Sequence, residues 1–371
     1  MEQAGGFECI GFCEIDKHAA AAYRAIYDTE GEIFYDDVTR IDTTEMPDFD
    51  LFVGGFPCQA YPEKKNIPKN RNGAHSKRKR FLEIRDNQPF SCCGKMGGFS
   101  DPRGALFFEL ARIIKDKRPA AFLLENVPSI LGHQTGRTFG TILYTLSELG
   151  YCVEWMVHNS AAFSLAQSRK RVYIVGHRRP ERAGKIFPVE CGDYEAPVEI
   201  IGGPQGSRVY SAEGTAITQC AGGSGKTGIY FFDLNPDFDF TENARCLLAR
   251  YDSGVSNHKG VNSGVFIEGD FPGAVRFVDK NGVLRVGIMR KLLPLEAWLL
   301  QGFSDEQFSK AAAIGLSDSQ LYKCAGNAVS VPVIKAIGEK IRNVIFDEGS
   351  EVIAESHNEL PALIGGSGTD R

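Results

Sequence analysis

The run Phe49-Asp50-Leu51-Phe52-Val53-Gly54-Gly55-Phe56-Pro57-Cys58-Gln59 sets the reading of this chain. Phe49 to Val53 has the length and apolar character of a short buried strand, and the Gly54-Gly55 pair ends it. In an open α/β sheet, ligands and chemistry gather just beyond the carboxyl ends of the strands. A cysteine on a Gly-Pro turn at that position is placed to be an exposed nucleophile. Taken alone, one of ten cysteines is more often a small core residue.

The neighbouring stretches supply the rest of the sheet. Upstream, Phe7 to Glu14 alternates as a strand, and Asp16 caps an alanine-rich helix reaching Tyr27. Downstream, Leu106 to Lys117 has helical periodicity and Ala121 to Leu124 reads as a buried strand. Thr138 to Leu149 is a helix stopped by Gly150. Val153 to His158 and Arg171 to Val175 complete the strands. Strands alternating with helices predict an α/β fold with a mostly parallel sheet and helices on both faces.

The texture changes near Pro180. Residues 181–287 are rich in glycine, polar residues and short β-like runs, which predicts a smaller, β-rich, irregular domain. Residues 288–346 return to helical texture, with helices over Leu293 to Gln301 and Val331 to Val344, and so rejoin the domain begun by residues 1–180. The tail, 347–371, is expected to be disordered.

No run approaches 18 apolar residues, which argues against a membrane span, and no basic segment leads an apolar one at the N-terminus. The cysteines are scattered without an export signal, so reduced thiols and a cytoplasmic location are expected. Cys9 and Cys13 are spaced like half a metal site but have no second pair, and no metal is assigned. The net charge of −5 resides in the tail, where six acids meet one arginine, leaving the remainder neutral. Between Tyr61 and Asn87, nine Lys/Arg face three acids, a cluster able to meet phosphates. Standing alone, such a cluster would read as a solvated surface.

Two further groups sit at strand ends. Glu125-Asn126-Val127 follows the strand from Ala121, and a carboxyl there suits acid catalysis beside a cysteine. Gln167-Ser168-Arg169-Lys170-Arg171 precedes Val-Tyr-Ile-Val-Gly. Arginines two apart on extended backbone point the same way and could fix a carboxylate or phosphate.

With these motifs, the sequence resembles the DNA cytosine-5 methyltransferase family of restriction-modification and phage type. The likeness is carried by Pro57-Cys58-Gln59, Glu125-Asn126-Val127 and Gln167-x-Arg169-x-Arg171. It continues through Arg290-Lys-Leu-Leu-Pro-Leu-Glu296 with Gln301-Gly302-Phe303, and Gly326-Asn327-Ala328-Val329. Their order is the family's own. The resemblance implies a Rossmann-like, S-adenosylmethionine-dependent sheet (residues 1–180 and 288–346) with a target-recognition domain over 181–287.

It also implies the chemistry. Carbon 5 of cytosine is too weak a nucleophile to take a methyl group until a thiolate adds to carbon 6. Cys58 would be that nucleophile, Glu125 would hold or protonate N3, and Arg169 and Arg171 would orient the base. The base must leave the duplex first. S-adenosylmethionine would contact Glu14 at the ribose, Asp37 at the adenine amino group and Asn327 and Val329 on the methionine side, with Ile15, Val38 and Pro57 also at the cofactor. A strand-end surface acid, a turn cap and a tight turn are the plain roles of Glu14, Asp37 and Gly326. Gln59, Ser91, Gln167 and Arg250 would meet DNA, Arg favouring guanine.

Two departures from the family pattern stand out. Met1 to Phe7 matches the stretch after the family's first strand and its Phe-x-Gly-x-Gly turn, so the chain reads as N-terminally truncated, with an upstream start expected. The nucleophile loop is split by an insertion, residues 60–87, before Gln88-Pro89-Phe90-Ser91 resumes the pattern. Closure geometry tolerates less than affinity does, so a slowed enzyme is expected. The expected partner is double-stranded DNA, with a restriction endonuclease acting separately and the chain a monomer. The alternatives are a descendant that only binds DNA and a related tRNA cytosine-5 methyltransferase. A sequence-reading domain of roughly 100 residues suits duplex DNA better than tRNA.

Overall fold

The computed structural model describes residues 1–56, 105–189, 199–201, 209–210, 229–234, 238–241, 243–249, 251, 255 and 263–346. Pro57, Cys58, Gln59, Ser91, Arg250, the insertion 60–87 and the tail 347–371 lie outside the described residues.

The chain opens with β1 (Gly11–Cys13), α1 (Lys17–Ile26) and β2 (Ile33–Tyr35), the two strands pairing in parallel. Asp16 caps α1 by accepting from the His18 and Ala19 amides, satisfying donors that the first turn cannot pair internally. Next come β3 (Leu51–Gly55), α2 (Ala105–Lys117), β4 (Ala121–Asn126), the short α3 (Ser129–Gly132), α4 (Arg137–Glu148), β5 (Cys152–Asn159), β6 (Gln167–Ser168) and β7 (Lys170–His177). Gly150, with φ at +85°, turns the chain out of α4 as expected.

The main sheet has the order β3-β4-β7-β5, and β1-β2 form a separate pair. The prediction of a mostly parallel sheet needs correcting here. Only β3 and β4 run parallel, while β7 is antiparallel to both β4 and β5. Only ten residues join β5 to β7, too few for the crossover that parallel strands require, so the chain folds straight back.

The irregular region contributes β8 (Glu199–Ile201), β9 (Val209–Tyr210), β10 (Ile229–Asp233), β11 (Asp239–Thr241), β12 (Ala244–Arg245), β13 (Gly264–Glu268), β14 (Val275–Val278) and β15 (Leu284–Lys291). Five of these make a sheet of order β11-β10-β13-β15-β14, with Phe240, Phe266 and Phe277 packed together on one face. β15 runs through the expected boundary at 287–288. β12 pairs in parallel with β6, so this region is stitched to the main domain by backbone hydrogen bonds.

Four helices close the chain: α5 (Pro294–Leu299), α6 (Asp305–Ala313), α7 (Asp318–Asn327) and α8 (Val331–Ile341). The Arg290 guanidinium grips Glu296 through two contacts of 2.7 Å, and Glu296 also accepts from the Leu293 amide. The Arg290…Glu296 motif thus fixes the turn from β15 into α5. One core cluster joins Phe56, Phe107, Phe122, Leu124 and Ile174 with α4. A second joins Leu247, Tyr251 and Val265 to Trp298, Leu321 and Tyr322, making a shared core for the irregular region and the closing helices. Among the described residues, no helix is long and apolar enough to cross a membrane.

Candidate active site

The site begins at the carboxyl ends of β3 and β4. Their register places Gly55 beside Glu125, and Glu125 beside Tyr173 of β7. Gly55 lies alongside the acid, and a Cβ there would meet Glu125 Oε2 at 3.5 Å, an ordinary contact distance. The following residue, Phe56, is buried with its ring against Phe107. Its carbonyl accepts a 2.9 Å bond from Asn126 Nδ2, and Asn126 Oδ1 accepts from the Val127 amide. Asn126 therefore fixes the last described residue before Pro57-Cys58. It belongs to the Glu125-Asn126-Val127 motif, which by itself does not signal this structural role.

Arg171 Nε lies 2.8 Å from Glu125 Oε1, both side chains mostly buried. Burial pushes the Glu125 carboxyl above the ordinary glutamate range, against the attraction of Arg171 and Arg169. A carboxyl held at a strand end with raised proton affinity can donate a proton.

Arg169 takes another course. It sits between β6 and β7, outside the ladder, and is only 3% exposed. Nη1 donates to Leu247 O (3.1 Å) and lies 3.4 Å from Cys246 Sγ, while Nη2 donates to Gly326 O (3.2 Å) and Ala328 O (2.7 Å). Its two terminal nitrogens thus engage backbone carbonyls, while its buried Nε has no hydrogen-bond partner, where the sequence predicted a base-orienting group. Gln167 differs from expectation in the same way. It is fully buried, donating to Leu300 O and accepting from the Leu247 amide, which leaves its amide facing protein rather than a DNA groove. Cys246, whose sulfur also lies 3.7 Å from Arg171 Nη2, was signalled by nothing in the sequence.

The residues expected at the cofactor come from two parts of the chain. Glu14 and Asp37 follow the ends of β1 and β2, and the Glu14 amide bonds to Tyr35 O. Glu14 Oε1 accepts from the Asp16 amide at 2.7 Å. Asp37 caps the turn Val38–Arg40 through Thr39, which is the plain role weighed for it. Those Thr39 bonds hold its carboxyl below the ordinary range. Val38 is half-buried against the main core. An ion pair from Lys323 of α7 to Asp16, and a His18–Gln320 contact, bind α7 to the start of α1. Burial, followed by the fields of Asp16 and Glu14, pushes the Cys324 thiol up to about 11. Beyond it, Asn327 ends α7 and is exposed like Val329, while the intervening carbonyls of residues 326 and 328 turn inward to Arg169. Gly326 is helical rather than part of a tight turn, and it is glycine because a Cβ would come 2.4 Å from the Leu248–Ala249 backbone.

This chain and solved structures share their architecture across most of their length. Against the methyltransferase EhMeth of Entamoeba histolytica the TM-score is 0.54 at 18% identity, covering 89% of this chain and 88% of that one. Against S. pombe Dnmt2 methyltransferase it is 0.55 at 14% identity, covering 93% and 94%. The fold is therefore a Rossmann-like methyltransferase fold. The family model for C-5 cytosine-specific DNA methylase matches residues 1–82, 88–216 and 249–343. Type II methyltransferase M1.ScrFI of Lactococcus lactis subsp. cremoris is 35% identical over 350 residues, covering 90% of this chain and 71% of that protein. Type II methyltransferase M.SsoII of Shigella sonnei is 34% identical over 362 residues, covering 92% and 76%. The chain belongs to the C-5 cytosine-specific DNA methylase family.

Proposed function

We propose that this chain transfers a methyl group from S-adenosylmethionine to carbon 5 of a flipped-out cytosine in duplex DNA, through a covalent adduct with Cys58. The observation that carries this reading is the Glu125–Arg171 pair, a buried acid of raised proton affinity at the strand end adjoining the one that leads to Cys58. The Cys58 thiolate adds to carbon 6, and Glu125 gives its proton to N3 as the ring becomes an enamine. Arg171 keeps Glu125 oriented and meets charge developing at the base. Methyl transfer, loss of the carbon 5 proton to solvent, elimination of the Cys58 thiolate and return of the N3 proton to Glu125 then restore the aromatic ring.

The cofactor, when bound, supplies the electrophilic methyl group. The residues present fit it. Glu14 and Asp37 place acids just past the ends of a parallel strand pair, Glu14 as nucleotide folds do for ribose hydroxyls and Asp37 for the adenine amino group. Ile15 is 76% exposed and Val329 is exposed too, offering apolar contacts that the protein leaves open. The target sequence is read by residues 181–287, which include most of the sheet β11-β10-β13-β15-β14.

The test is transfer of labelled methyl groups from S-adenosylmethionine to unmethylated DNA by this chain and by Cys58→Ser. Label on DNA with the native cysteine, and none with serine, is the expected result. A chain that binds DNA but never labels it would be the binding-only descendant, and the reading would fail.

A further inference from the structure

Two segments that should serve different ligands share one buried cation. Residues 246–249 lead out of the strand β12. Through Arg245, whose Nε bonds Asp233 Oδ2 at 2.7 Å, they connect to β10 in the sheet assigned to DNA. Residues 326–329 carry the exposed Asn327 and Val329 assigned to the cofactor. Leu247 O from the first segment and Gly326 O and Ala328 O from the second all accept from the Arg169 guanidinium. The two segments also touch directly where Gly326 meets the Leu248–Ala249 backbone.

We propose that Arg169 is a positioning residue that couples DNA engagement to cofactor binding, by rewarding the simultaneous docking of segments 246–249 and 326–329. The inference rests on the methyltransferase reading of the site. Its physical basis is the choice of partners. Glu125 is paired by Arg171, so the Arg169 charge is compensated by carbonyl dipoles and the Cys246 sulfur. Buried idle donors are costly; Nε already lacks a partner, and withdrawing either segment would idle Nη1 or Nη2 as well. Gln167 strengthens the link by fixing the Leu247 amide from the same strand edge. A ligand that orders one segment therefore lowers the cost of ordering the other, and the effect is reciprocal.

The experiment measures S-adenosylhomocysteine affinity of the full chain with and without saturating sheared, unmethylated DNA. DNA should tighten it by about 5–150-fold, the usual range for coupled sites. In Arg169→Lys, which keeps the charge but not the fork, the factor should fall to within ~2-fold of unity while each ligand still binds alone. A merely structural arginine would weaken both affinities and leave their ratio intact. Arg171→Lys is the control that should lose turnover and keep the coupling. If Arg169→Lys does not fold, hydrogen exchange on the native chain decides. DNA alone should slow the amides of 325–330, and S-adenosylhomocysteine alone those of 244–249. An unchanged coupling factor in Arg169→Lys, or no cross-protection in the native chain, overturns the proposal. Failure of both ligands to bind would remove the methyltransferase reading itself, and the coupling with it.

Discussion

Glu125 sits under opposing influences, and burial outweighs the two arginines beside it. The sign of the consequence follows directly. With its folded proton affinity raised, Glu125 favours the native state below the ordinary glutamate pKa of about 4.3. That contribution is lost as pH rises through the folded value. Glu125→Gln cannot ionise, so denaturant midpoints of the two proteins should diverge across that window, the native chain losing ground as pH climbs. Parallel profiles would show an ordinary carboxylate. The same substitution should slow methyl transfer by about 10²–10⁴-fold, the span of a lost general acid. At this scale the sequence was legible for Glu125 and Arg171, whose motif spacing put them at adjoining strand ends. Arg169 does share the direction of Arg171, since both guanidiniums reach the Cys246 sulfur, but the carbonyls of Leu247, Gly326 and Ala328 that engage it lie far along the chain and are not signalled by the motif.

Among the elements, β7 shows why a strand tolerates a glycine near its end. Gly176 lies opposite Phe122 in the register, and that buried ring crosses where a side chain would stand, 2.1 Å from a Cβ built there. Gly176→Ala must therefore displace Phe122 from the core it shares with Tyr151. We expect a loss of about 1–3 kcal/mol, the usual cost of overpacking. Thermal unfolding would report it, and an unchanged midpoint would mean the ring has room to yield. Helix α2 and strands β3, β4, β5 and β7 were all anticipated within a few residues, since their periodicity is local. Helices α6 and α7 were missed although each opens with a capping box, Ser304 with Gln307 and Ser317 with Gln320. Their short, weakly apolar faces gave little periodic signal, so only the caps could have marked them. The antiparallel turn of β7 was hidden for a different reason, because strand direction depends on how far the connection reaches rather than on the strand's own composition.

Across the whole molecule, stability should be uneven, and the weak part is the one proposed to meet the cofactor. The four strands β3-β4-β7-β5 enclose side chains that are almost wholly buried, among them Phe122, Leu124, Val172 and Ile174. The β1-β2 pair has three residues per strand and leaves Ile10, Ile33 and Phe34 exposed. A two-stranded unit is marginal by itself, so this pair must borrow stability from α1 and its ties to α6 and α7. Hydrogen exchange should follow that gradient, with amides of residues 11–35 opening well before those of 121–126 and 171–176. Because Glu14 and Asp37 flank this weak unit, a cofactor bound there stabilises the closed form by mass action. At a hundredfold excess over Kd the gain is about 2.7 kcal/mol. S-adenosylhomocysteine should therefore slow exchange most in residues 11–37 and least in the main sheet, whose opening already approaches global unfolding. Uniform protection would indicate that the β1-β2 pair unfolds together with the rest, and protection confined to the main sheet would place the cofactor away from Glu14.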